Sequence, residues 1–396
     1  MDEYETTAKY NIAETCSASI SMKELCELSE VKTSANDLID LTKPLGYGEI
    51  RGATELRNSL SRLYSSRVLS LLSPDNILIT PGAIAANFLV LYSLVGPGDH
   101  VICHYPTYQQ LYSVPASLGA EVDLWKAKPE KGWNVDTEEL KQLIKPSTKM
   151  IILNNPQNPT GAVLKNSLLQ EIIEIASSHS PPIMIFSDEV YRPLFHGITP
   201  VDSQFPPSIL SLGYRNTIAV GSLSKAYSLA GIRVGWIASR NPDIVGQCAA
   251  ARDYTTISVS QLDQQVAAFA LSPNTIHGLL GRNIGIAKTN LELLEKFVIK
   301  HDEFCSWTKP VAGTTAFVLF SRDGQPVDAV ELCKRVQEKT GVMFVPGDRC
   351  FGAEFRGYVR IGYVNHTSVV KEGLAEMTKF MRREFDDVPL MDDVAQ

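Results

Sequence analysis

The chain has 396 residues, 44% of them hydrophobic, with 37 Lys and Arg against 44 Asp and Glu for a formal charge of −7. That length supports two domains, or one large α/β domain with an appendage, around a sizeable core. The acidic balance, with a pI near 5.6, leaves no basic surplus for a nucleic-acid backbone, and no apolar run approaches membrane-spanning length.

Seven cysteines (Cys16, Cys26, Cys103, Cys248, Cys305, Cys333, Cys350) are scattered, odd in number and never in C-x-x-C spacing. This argues against a disulfide framework and against a metal site, and it suits a reducing compartment. Met1 to Glu5 are acidic and precede no apolar h-region, and Asp393 to Gln396 carry no retention or peroxisomal signal. The expected location is the cytoplasm.

Up to about Lys43 the sequence is polar and irregular, with one short helical patch over Ser21 to Leu28, and it reads as an arm. An amphipathic helix is predicted over Ala53 to Leu71, a buried strand over Asn76 to Thr80 and a helix over Ala83 to Val95. Alternation then continues: strand His100 to Cys103, helix Tyr108 to Leu118, strand Glu121 to Trp125, helix Thr137 to Ile144, strand Lys149 to Leu153 and helix Lys165 to Ser178. Strands Ile183 to Ser187, Thr217 to Val220 and Arg233 to Ser239 complete the run. Short apolar strands alternating with helices predict a three-layer α/β/α unit with a mostly parallel sheet, whose ligand site lies beyond the carboxyl ends of the strands. Long helices follow, the last over about Asn274 to Lys300. The remainder gives two strands after Cys305, helix Val327 to Thr340, strands Val342 to Val345 and Tyr358 to Tyr363, and helix Val369 to Phe385. That is a smaller α+β unit.

Chemistry-bearing residues gather at the predicted strand ends. Lys225 follows the strand Thr217 to Val220, bracketed by Ser222, Ser224 and Arg233. A lysine among anion-binding groups is what a carbonyl cofactor with a phosphate requires, although Ser-x-Ser-Lys alone also describes many surface turns. Asp188-Glu-Val-Tyr191 follows another strand, where a carboxylate can hold a pyridine nitrogen protonated and a tyrosine can reach a ring oxygen. A helix-capping Asp and a core Tyr would look the same. Asn155-Pro-Gln-Asn158-Pro-Thr-Gly161 is a rigid turn at the same edge, and Thr80-Pro-Gly82-Ala83-Ile84 is a strand-to-helix turn whose free N–H groups suit a phosphate.

Together, Asn158-Pro-Thr-Gly, Asp188-x-x-Tyr191 and Ser222-x-Ser-Lys225 followed by Arg233 resemble the pyridoxal-phosphate aminotransferases of fold type I, class I/II, in order and spacing. The resemblance implies that Lys225 forms the Schiff base with pyridoxal 5′-phosphate and shuttles the Cα proton, with Asp188 on the ring nitrogen and Tyr191 and Asn158 on the ring oxygen. It implies phosphate binding by Gly82, Ala83, Ile84, Ser222, Ser224 and Arg233, and stacking of Tyr108 on the ring. Tyr47 matches the tyrosine that reaches the partner subunit's cofactor, which implies a homodimer. Arg360 matches the arginine that clasps a substrate carboxylate, with Asn158 beside it. Residues 44–280 would form the large cofactor-binding domain, and residues 1–43 with 281–396 the small one.

Two stretches depart from the family pattern. The usual N-terminal strand and Gly-x-Pro loop are replaced by Tyr10-Asn-Ile-Ala-Glu-Thr-Cys-Ser-Ala-Ser-Ile20, and a segment often rich in glycine and aromatics reads Gly313-Thr-Thr-Ala-Phe317. Both fall where substrate is expected to bind. They resemble the capreomycidine-synthase branch, as do Arg252 to Ser258 and Gly341 to Gly347. The expected activity is transamination of an amino acid; the alternative is a cyclase or an elimination/replacement enzyme on the same cofactor.

Overall fold

The computed structural model describes residues 6–65 and 71–391. Seven strands form the central sheet in the order Ile77–Thr80, Gly235–Ser239, Thr217–Ser222, Met184–Asp188, Thr148–Asn154, His100–Tyr105, Glu121–Lys126. Gly235–Ser239 runs antiparallel to both of its neighbours, and the other pairings are parallel.

Successive residues of these strands point to opposite faces, so each strand feeds two cores. Leu78, Val101, Ile152, Phe186, Ile218 and Ile237 pack with helices Ala83–Leu94 and Pro242–Arg252 on one side. Ile79, Ile102, Ile151, Ile185, Ala219 and Trp236 pack on the other, against helices that include Thr54–Ser65, Asn166–Ser178 and Pro273–Lys300. Burial on both faces explains why these strands read as unbroken apolar runs. The predicted helix over Ala53 to Leu71 is Thr54–Ser65 in the described residues, and positions 66–70 of that prediction lie outside them.

The second sheet is antiparallel, in the order Gln325–Pro326, Thr315–Arg322, Tyr358–Gly362, Val345–Pro346, with Cys305–Trp307 also on Thr315–Arg322. Here one expectation fails. The strand predicted over Val342 to Val345 is two short strands with different partners. Val342–Met343 pairs in parallel with Tyr10–Asn11, and Val345–Pro346 pairs with Tyr358–Gly362. The chain breaks at Phe344, where the two halves turn to different partners, a division that four consecutive buried apolar residues do not reveal.

The 28-residue helix Pro273–Lys300, about 42 Å long, joins the two sheets. Its fully buried Asn283 donates from Nδ2 to Ala226 O at 2.8 Å, beside Lys225, and Asn290 donates to Tyr363 O at 2.8 Å and Asn365 O at 2.7 Å. The arm is also more integrated than its polar sequence suggests. Ile12, Ala13, Ala18 and Leu25 are buried, and Ser17 N and Ala18 N donate to Lys225 O (3.0 Å) and Val364 O (2.7 Å).

Candidate active site

A cavity of about 340 Å³ opens at the carboxyl ends of the parallel strands, the expected place for a ligand in such a sheet. Asp188 closes the strand Met184–Asp188 and is 2% exposed. Its Oδ1 accepts from Val190 N at 3.1 Å and its Oδ2 from Asn87 Nδ2 at 2.9 Å. Burial pushes the carboxyl up to about 6, against those two bonds and the Lys225 charge. It is therefore mostly ionised at neutral pH and calls for a proton donor or cation.

Lys225 lies beyond the end of Thr217–Ser222. Its Nζ donates to Thr15 Oγ1 and to Cys16 Sγ, the latter at 3.6 Å. Burial lowers its proton affinity, but Tyr191, Cys16 and Glu14 more than offset this and leave it raised. Tyr191 is buried beside it, its phenol pushed up by desolvation against the Lys225 and Arg360 charges.

An anion cradle forms nearby. Ser222 Oγ accepts from Ser224 N at 3.0 Å, and Arg233 Nη1 donates to Ser224 Oγ at 3.4 Å and to Ala230 O at 2.9 Å. The helix Ala83–Leu94 begins at Gly82, with no side-chain cap on its first N–H groups, so these face outward as anion donors. Gly82 is required: its φ is 81°, and a Cβ there would lie 2.6 Å from Arg233 Nη2. Gly235 is equally constrained, since a Cβ would meet Gly82 C at 2.5 Å and Ala83 N at 2.6 Å.

On the far wall, Asn158 N donates to Asn154 Oδ1 at 2.8 Å, and Asn154 Nδ2 donates to Asp188 O at 3.2 Å, tying this turn to the neighbouring strand. Arg360, 9% exposed, donates from Nη2 to Ala13 O at 2.8 Å and from Nη1 to Asn158 Oδ1 at 3.4 Å, while its Nε has no partner. An unpaired donor on a buried guanidinium is costly unless a ligand supplies the acceptor.

Lys225, Asp188, Tyr191, Asn158, Ser222, Ser224, Arg233, Ala83, Ile84, Tyr108 and Arg360 all line this cavity. Gly82 forms the turn at its edge. Tyr47 does not line it and is 68% exposed. Gly313 to Phe317 do not line it either. They support it from behind: Thr314 Oγ1 holds Thr15 O at 2.7 Å, and a Cβ on Gly313 would sit 3.7 Å from the Tyr191 ring.

The arm, expected at the substrate, does form one wall, through Glu14, Thr15 and Cys16. One contribution escaped the sequence reading: Asn87, which lies within an apolar helix. Asn87 carried a signal as the one amide among the apolar residues of its helix, one turn after the Gly82 turn.

Residues 21–376 match the family model for aminotransferase class I and II. The chain belongs to the class I and II aminotransferases. Within that family it is similar to a solved structure of a PLP-dependent aminotransferase from Streptococcus suis, with 41% identity, a TM-score of 0.86 and coverage of 96% of each chain. It is 29% identical over 303 residues to capreomycidine synthase of Streptomyces vinaceus, covering 76% of this chain and 74% of that protein. It is 28% identical over 340 residues to a (5-formylfuran-3-yl)methyl phosphate transaminase of Methanocaldococcus jannaschii, covering 85% and 84%. Family membership implies pyridoxal 5′-phosphate. The site fits that group through the uncapped helix start with Arg233, the buried carboxylate of Asp188 and the amine of Lys225.

Proposed function

We propose that the chain is an aminotransferase that exchanges the amino group of an α-amino acid for a keto group and works as a homodimer. The observation that carries this reading is one cavity holding the Lys225 amine, the Asp188 carboxylate and the Arg360 guanidinium. Pyridoxal 5′-phosphate, when bound, supplies an aldehyde that condenses with amines and a ring that draws electrons from Cα.

Ser222, Ser224, Arg233 and the N–H groups of Ala83 and Ile84 would hold its phosphate. Asp188 would hold its ring nitrogen, Tyr191 and Asn158 its ring oxygen, and Tyr108 would cover the ring. Lys225 moves the substrate's Cα proton. Its Nζ takes that proton from one position on the substrate and returns it at another. Arg360 orients the substrate by its α-carboxylate, for which a planar fork is better suited than a point charge.

Tyr47, exposed on a segment that Gln261 Nε2 holds through Pro44 O and Gly46 O, is read as reaching the partner's site. Residues 44–280 form the cofactor-binding unit in this reading, with 1–43 and 281–396 as the substrate-closing unit. The pairing of Tyr10–Asn11 with Val342–Met343 supports grouping the arm with the C-terminal part.

One observation favours a second reading, cyclisation or elimination/replacement. Glu14, Thr15 and Cys16 bring acid, hydroxyl and thiol groups to the Lys225 amine beyond those that transamination uses. A relative named capreomycidine synthase points the same way.

The test is to mix the cofactor-loaded enzyme with a panel of amino acids and no keto-acid acceptor. Transamination releases about one keto acid per site and abolishes the cofactor's visible band. A cyclic or Cβ-modified product without keto acid supports the second reading. Lys225→Ala should lose both turnover and the borohydride-reducible chromophore, and surviving turnover would refute the assignment.

A further inference from the structure

The reading above leaves one charged group in the cavity without a task. Arg233 is assigned to a phosphate, Asp188 to a ring nitrogen, Lys225 to the reacting centre and Arg360 to an α-carboxylate. Glu14 remains.

Its position is built into the fold. Gly362 N donates to Ile12 O at 2.7 Å, Arg360 Nη2 to Ala13 O at 2.8 Å, Thr314 Oγ1 to Thr15 O at 2.7 Å and Ser17 N to Lys225 O at 3.0 Å. These bonds fix the backbone on both sides of residue 14. Gly362 is needed for that approach, because a Cβ there would collide with Glu14 O.

The side chain is half-buried and lines the cavity. Glu14 shares the cavity lining with Lys225, Arg360 and Cys16. Among the described residues no lysine, arginine or histidine forms an ion pair with it. With Lys225 committed to the reacting centre and Arg360 to the α-carboxylate, no lysine or arginine lining the cavity is left to pair with it except the phosphate-binding Arg233. A partly desolvated anion in that state selects for a cation and against an anion.

We propose that Glu14 is a specificity-determining residue that selects amino acids with a cationic side chain, an ammonium or a guanidinium. This rests on the aminotransferase-fold amino-acid site proposed above. It adds the side-chain class.

Matched pairs test it in the cofactor-loaded enzyme, with the change in cofactor absorbance as the measure of binding. L-arginine against L-citrulline and L-lysine against L-norleucine differ chiefly in charge. The cationic member of each pair should bind at least about tenfold more tightly, the equivalent of about 1.4 kcal/mol. Glu14→Gln should bring arginine to the affinity of citrulline and raise KM for arginine more than it lowers kcat. Glu14→Asp should keep part of the preference. Unchanged melting temperature and cofactor spectrum in Glu14→Gln would exclude a folding defect as the source of the effect.

Equal affinity within both pairs in the unmodified protein overturns the proposal, as does a preference that survives Glu14→Gln. In both outcomes neutral amino acids still alter the spectrum, and the amino-acid site stands. A spectrum that responds to no amino acid overturns the site assignment together with this proposal.

Discussion

Asp188 should make the cofactor-free protein less stable at neutral pH, and Asp188→Asn should make it more stable. Its carboxyl rises from 3.8 to about 6 in the folded chain, and each unit corresponds to about 1.4 kcal/mol, for a total of about 3 kcal/mol. Below about pH 4 the group is protonated in both states and contributes nothing. Between about 4 and 6 the unfolded chain ionises while the folded one retains its proton, so stability falls as pH rises. Above 6 the deficit is constant.

The amide introduced by Asp188→Asn would remove that deficit, and the neighbourhood can accept the change. Asn87 Oδ1 has no hydrogen-bond partner, so rotation of the Asn87 amide presents an acceptor to the new amide. With an unfolding entropy of about 2.1 cal/mol/K per residue, 3 kcal/mol raises the melting temperature by about 4 °C. The assay is thermal unfolding of both proteins, stripped of cofactor, at pH 4 and pH 8. Adding pyridoxal 5′-phosphate should reverse the order, because only the carboxylate can keep a ring nitrogen protonated. A cofactor-free variant that melts below the unmodified protein at pH 8, or an equal difference at both pH values, would refute the reasoning.

Other substitutions probe neighbouring parts of the site. Asn87→Ala removes a bond that lowers the Asp188 pKa, so the pH midpoint of the cofactor's absorbance should move upward, and an unmoved midpoint would show that the bond does not tune the carboxylate. Arg360→Lys replaces a fork by a point charge, and KM for amino acids should rise roughly ten- to hundredfold with a smaller change in kcat; steady-state kinetics that show the loss in kcat alone would contradict a binding role. Gly235→Ala drives a methyl group into the Gly82 turn and should cost about 1–3 kcal/mol of stability together with cofactor affinity. Gly246→Ala, in a helix with open space around the site, should instead stabilise by about 0.5–1 kcal/mol, and the two can be compared in one unfolding series.

The large sheet was legible because its strands are buried on both faces, so each appears as an apolar run punctuated by glycine, proline or asparagine. Apart from Tyr47, the residues assigned to the cofactor were legible because they sit at or just after strand ends within dense motifs. Their gathering in one cavity follows from the parallel topology.

The arm's place at the substrate was legible from its departure from the family pattern, but its burial was not. Ile12, Ala13 and Ala18 are buried among Asn11, Glu14, Thr15 and Ser17 with no helical or strand period, because the arm contacts protein through backbone bonds and isolated side chains. Arg252 was quoted for its motif alone. It is 1% exposed and donates to the carbonyls of Ile79 and Ile50, and only the tertiary fold supplies those acceptors. The break at Phe344 was hidden for a similar reason, since its two halves serve partners at opposite ends of the chain.

The pairing of Tyr10–Asn11 with Val342–Met343 also bears on how the protein is made. The arm leaves the ribosome before the large sheet, whereas its strand partner and the Val364 carbonyl that receives Ala18 N emerge after it. During synthesis the large sheet can close while the lysine-bearing pocket still lacks one wall. In the reading proposed above, substrate selection is acquired only after the large sheet is complete, and a chain truncated before Val342 would keep the cofactor cradle without the means to choose what reacts there.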